Sequence, residues 1–81
     1  MNPSTMELKK EIQKSLELMR TLRDEVRVNL HLAGMAARDE WREIEPRLAE
    51  IEQAASDFSE TTRNALADVV KRLSKLRSSL N

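Results

Sequence analysis

Apolar residues recur at intervals of three and four along almost the whole chain. Leu8, Ile12, Leu16, Met19, Leu22, Val26, Leu30, Ala33, Ala37, Trp41, Ile44, Leu48 and Ile51 follow one another in this way, and Leu66, Val69, Leu73, Leu76 and Leu80 resume the series after a gap. Such spacing keeps a residue on one face of a 3.6-residue helix, so the pattern predicts an all-α protein made of amphipathic helices. Between Met19 and Leu48 the stripe repeats every eleven residues: Met19, Leu30 and Trp41 form one series, Leu22, Ala33 and Ile44 a second, Val26, Ala37 and Leu48 a third. An eleven-residue repeat suits a nearly straight helix or a weak right-handed supercoil.

The boundaries follow from residues that compete with, or cannot join, the helical ladder. Ser4 with Glu7 reads as a capping box at the start, with Pro3 placed to staple against Leu8. Pro46 lacks an N–H, but the stripe crosses it in phase, which predicts a kink rather than an end. The run Ser56–Thr62 is rich in side chains that hydrogen-bond their own backbone, and Asp57 with Glu60 forms a second capping pattern. The expected organisation is a single helical domain over 1–81. A long helix over about 5–55, kinked near Pro46, is followed by a turn at about 56–61 and a shorter antiparallel helix over about 60–80. A break at Pro46 and one unbroken helix are the two alternatives to this hairpin.

A hairpin of that shape has a large open face. A helix from 5 to 55 measures about 75 Å and its partner about 30 Å, so the stripe from Leu8 to Leu30 finds no cover in its own chain. Contiguous exposed apolar surface of that extent is uncommon in monomers, and a homodimer in a four-helix arrangement is the simplest closure. The interface expected on this ground comprises Leu22, Val26, Leu30, Ala33, Ala37, Trp41, Ile44 and Leu48. Within it Ala33, Gly34 and Ala37 present a small-residue patch where two helices can cross closely, Trp41 of one packing over the patch of the other.

Charge supports a chain folded back on itself. The 81 residues carry no net charge. Residues 39–60 nevertheless hold an excess of six acids, residues 61–81 an excess of four bases and residues 1–38 an excess of two. Pairing of the acidic middle with the basic end explains both blocks, and the neutral total argues against a nucleic-acid partner. The basic end facing Val69, Val70, Leu73 and Leu76 also fits a helix lying on anionic lipid, the alternative reading of the chain. Cysteine is absent, which excludes disulfides and thiolate metal sites. His31 is the sole histidine and has Met35 one turn on, so no helical metal pair forms. Acidic clusters such as Asp39-Glu40 and Glu43-Glu45 read as a solvated face, with Glu43 and Arg47 a favourable i,i+4 helix pair. No nucleophile–base constellation can be drawn, so neither catalysis nor a cofactor is expected.

The stretch Leu30-His31-Leu32-Ala33-Gly34-Met35-Ala36-Ala37-Arg38-Asp39-Glu40-Trp41, continuing to Glu45-Pro46, resembles a segment of small uncharacterised bacterial helical proteins. The resemblance covers about 20 residues and implies a bacterial helical-hairpin or coiled-coil protein, with no activity to carry over. Together these readings predict a cytoplasmic structural or protein-interaction module that self-associates through its amphipathic helices.

Overall fold

The computed structural model describes residues 5–54 and 56–80. Helix accounts for 91% of it, with no strand among the described residues, so the protein is all-α as its periodicity predicts. Helix α1 spans Thr5–Asn29, a single 3-10 turn covers Leu30–Leu32, α2 spans Met35–Ala54 and α3 spans Glu60–Ser79. The expected capping pair at Ser4 and the staple at Pro3 lie outside the described residues.

The long helix is divided, and the hairpin is replaced by three helices. The molecule extends 44 Å along its greatest axis, too short for a straight helix of about 75 Å. The division falls at 30–34, inside the stretch whose eleven-residue rhythm had suggested a straight rod. Asn29 donates its side-chain amide to the Glu25 carbonyl at 3.0 Å. The Ala33 N–H then closes the 3-10 turn on the Leu30 carbonyl at 3.0 Å, and Ala33 itself is extended at φ −77°, ψ 138°. The Gly34 carbonyl accepts the first α2 bond from Arg38 N–H at 3.1 Å. Gly34 has no positive φ, so it serves as an N-cap residue, a role glycine tolerates well.

At the other reversal, Ser59 is the cap of α3: its Oγ accepts from the Thr62 N–H at 3.2 Å. The expected cap, Asp57, instead accepts a 3.4 Å bond from the Ser59 hydroxyl. Pro46 sits inside α2 with the helix continuing on both sides. It lies on the exposed face, where water can satisfy the carbonyl that its missing N–H leaves free.

Ion pairs define the directions. Glu11–Arg63 and Glu25–Arg77 join α1 to α3 at a constant offset of 52 residues, so these two helices are parallel. Pairs Glu40–Arg72 and Arg47–Asp68 join α2 to α3 in antiparallel register, which makes α2 antiparallel to α1 as well, and Arg20–Glu52 ties α1 to α2. The chain therefore runs up, down and up. Helix α3 packs closely on both others, whereas the α1 and α2 backbones stand further apart.

One core results. Ile12, Met19, Val26, Ile44, Leu66, Val69 and Leu73 are fully buried, with Leu8, Leu16, Leu22, Trp41, Leu48, Ile51, Leu76 and Leu80 nearly so. Each such side chain contributes about 1.5–3 kcal/mol, against roughly 0–1 kcal/mol for a surface ion pair. Burial therefore holds the bundle and the ion pairs set its register. The stripe from Leu8 to Val26 finds its cover in α3, so the open face that argued for a dimer is closed within one chain.

Candidate interaction surface

The residues expected at an oligomer interface are distributed by this fold over the interior and one corner. Leu22, Val26, Trp41, Ile44 and Leu48 belong to the intramolecular core, and Leu30, Ala33 and Ala37 are half-buried against it. None of the five is free to face a partner. Within the chain no helix crosses at the small-residue patch. A Cβ built on Gly34 meets nothing within 4 Å, and Trp41 is covered from its own chain by Arg27, whose guanidinium lies 5.9 Å from the ring centroid. The physical reason is the reversal at 30–34, which folds the stripe back on itself instead of extending it toward a second molecule.

What the corner does expose is a different apolar set. Val28 in the last turn of α1, Leu32 in the 3-10 turn and Met35 at the start of α2 are 71%, 63% and 82% exposed. The remaining large exposed apolar side chains, Met6 and Leu18, stand apart from it on α1. Periodicity could not single out Val28, Leu32 and Met35, because off-stripe apolar residues carry no phase. The signal available was their density beside the sole glycine.

Next to this tip a groove of about 360 Å³ opens between the 3-10 turn and the first turns of α2, lined by Leu30, His31, Arg38, Trp41 and Arg42. His31 is exposed, and its Nδ1 meets the Val28 carbonyl at 3.0 Å; with that nitrogen donating, the neutral ring keeps only an acceptor at Nε2. Among the described residues no group of His, Cys, Asp or Glu is placed to hold a metal ion. A second hollow of about 580 Å³ between α2 and α3 is bordered by Gly34, Ala37, Glu40, Arg72 and Leu76. Its arginine is already held, since Arg72 donates to Glu40 at 2.8 Å and to Glu43 at 3.3 Å, while Lys75 on its rim has no ion pair among the described residues.

Electrostatics divide the α1–α2 seam in two. Away from the corner, Glu52 accepts from Arg20 at 2.9 and 2.8 Å, with Arg23 at 3.4 Å. The two Arg20 bonds hold the Glu52 carboxyl below its ordinary range and push the Arg20 guanidinium up. Arg72 is likewise raised, by its hydrogen bonds to Glu40. At the corner the cations lack such partners. Arg38 has no ion pair among the described residues, and Arg42 has only Asp39, at 3.9 Å with both side chains largely exposed. The basic end of α3 also divides its pairing: Arg72 meets the acidic segment, but Arg63 and Arg77 reach α1. Glu43 and Arg47, adjacent on α2, both turn to α3.

No protein-family model matches this chain, and neither a curated protein nor a solved structure matches it. Among the described residues no helix is long and apolar enough to cross a membrane.

Proposed function

We propose that this protein is a small helical protein-interaction module that docks a partner through the α1–α2 corner. The observation that carries the proposal is the exposure of Val28, Leu32 and Met35 together at one end of a bundle that has otherwise buried its stripe. Three large apolar side chains held in water at a turn are costly there unless something covers them. A turn needs none of them exposed: at Ser56–Ser59 three polar residues reverse the chain, and the one large apolar residue, Phe58, is half-buried.

Site-specific photocrosslinking in the native cell tests this. A photoreactive residue at Leu32 or Met35 is expected to yield adducts of defined mass, and one at exposed Asn64 on α3 to yield none. Equal labelling from all three positions, or none from 32 and 35, removes the docking role. An adduct of two chain masses means that the partner is a second copy.

A further inference from the structure

We propose that the corner groove receives an acidic amphipathic peptide segment, whose carboxylates meet Arg38 and Arg42 while a large apolar side chain lies against Leu30 and Trp41. This rests on the docking role of the corner and names the chemistry of its occupant. Three features of the groove lead there. Its volume of about 360 Å³ is at the small end of ligand pockets, enough for one or two large side chains and not for a whole helix. Its floor is apolar, formed by half-buried Leu30 and the largely buried Trp41 ring, and the exposed Leu32 and Met35 extend that surface outward.

The third feature is charge. Arg27 lies over the Trp41 ring, Arg20 is paired with Glu52, and Arg23 with Glu52 and Asp24. Arg38 and Arg42 are the arginines that line the groove, and neither is held by a close carboxylate among the described residues, because the 3.9 Å contact of Arg42 with Asp39 is long and solvent-screened. An arginine fork matches a carboxylate in two parallel hydrogen bonds, so an acidic side chain is the natural complement. A second copy is the poorer occupant. A self-pairing with the groove centred on the two-fold axis would bring Arg38 and Arg42 near their own copies, and like charges across an interface are repulsive.

The test selects a random displayed peptide library on the full chain and titrates the winners with Trp41 fluorescence, an unambiguous reporter because it is the sole tryptophan. Enriched peptides are expected to place Asp or Glu beside Leu, Ile, Phe or Trp, to shift Trp41 emission and to weaken with added salt. Arg38→Glu and Arg42→Glu, both at exposed positions, should each weaken binding on the order of tenfold, while Lys71→Glu on α3 leaves it unchanged. Enriched peptides without acids overturn the acidic occupant but leave docking at the corner intact. An equal loss from Lys71→Glu overturns it too, by showing that only overall charge is sensed. Chain-dimer adducts without peptide enrichment assign the corner to a second copy. A Trp41 response to phosphatidylserine vesicles and not to peptides assigns it to a lipid surface. Failure of both enrichment and crosslinking at 32 and 35 removes the docking role as well.

Discussion

The chain reverses twice, and the two reversals are made of opposite materials. Between α2 and α3 polar side chains make the turn around one half-buried aromatic: Ser59 caps α3 with its own hydroxyl, Asp57 accepts from that hydroxyl, and Lys9 of α1 lies 5.3 Å from the centroid of Phe58. Between α1 and α2 the residues are apolar or small. The 3-10 turn has no side-chain cap, Gly34 offers α2 only its carbonyl, and Val28, Leu32 and Met35 stand in water. Both turns accomplish the same topological task. The first is optimised for folding alone, whereas the second gives up a cap and exposes apolar surface, the trade expected where a site is built at a turn.

Substitution at the base of each turn gives the largest expected contrast. Trp41 is 6% exposed beneath the apolar corner, so Trp41→Ala should cost about 3–5 kcal/mol in urea unfolding. Phe58→Ala beneath the polar turn should cost clearly less, since Phe58 is only half-buried. Equal costs would mean that the two turns are anchored alike and that the corner is not specially tied to the core.

The cap comes next. Ser59→Ala removes the acceptor for the Thr62 N–H and should lower stability by about 1 kcal/mol, seen as an earlier thermal transition in circular dichroism. Gly34→Ala at the apolar turn should cost less, because alanine is the poorer N-cap but also reduces the freedom of the unfolded chain, and no side-chain bond is there to remove. A large loss at Gly34 would place a hidden constraint at the corner and break the contrast.

These differences also explain what could be read before folding. The polar turn was legible because Ser, Asp and Thr announce competition with the backbone, although the capping residue is Ser59 rather than Asp57. The apolar turn was not. Leu30, Ala33, Ala37 and Trp41 stay in helical phase across 30–34, because the bend lays them back on the same core that a straight helix would have faced. Periodicity reports which residues are buried and is blind to a bend that conserves their face. The core residues were therefore legible almost one for one, while their partner was misjudged: α3 covers α1 and α2 together, so a stripe that looked open is closed. The exposed corner lay outside the stripe, and no phase marked it.

Acid should loosen the two ends of the α1–α2 seam unequally. The folded pKa of Glu52 is depressed by its Arg20 hydrogen bonds. Its stabilisation is thus complete above the unfolded carboxylate range and is lost as pH falls through the lower folded value. Amide exchange should rise first near Glu52, at the polar-turn end, while Trp41 emission at the corner stays constant until global unfolding. Glu52→Gln should flatten the acid limb of the stability profile. A Trp41 change that tracks the Glu52 titration would show that the seam behaves as one unit. The pair is solvent-screened, so the effect should be smaller than that of the cap.

The smallest effect tests whether Gly34 is a concession to the corner. Gly34 occupies the N-cap of α2 with ordinary negative φ, and a Cβ there meets nothing within 4 Å. Serine can adopt that backbone without strain, offer its hydroxyl to the first turn of α2 and reduce the freedom of the unfolded chain. Gly34→Ser should therefore raise stability by roughly 0.3–1 kcal/mol, a shift of a few degrees in the midpoint for a domain of this size. Ser59→Gly, the reverse exchange at the polar turn, should lower it by a few tenths of a kcal/mol. If Gly34→Ser stabilises the bundle yet abolishes the photocrosslinks from Leu32, the glycine is there for close approach of the partner's backbone. If stability rises and the crosslinks persist, recognition lies in the apolar tip and its arginines, and the glycine is merely an unimproved cap.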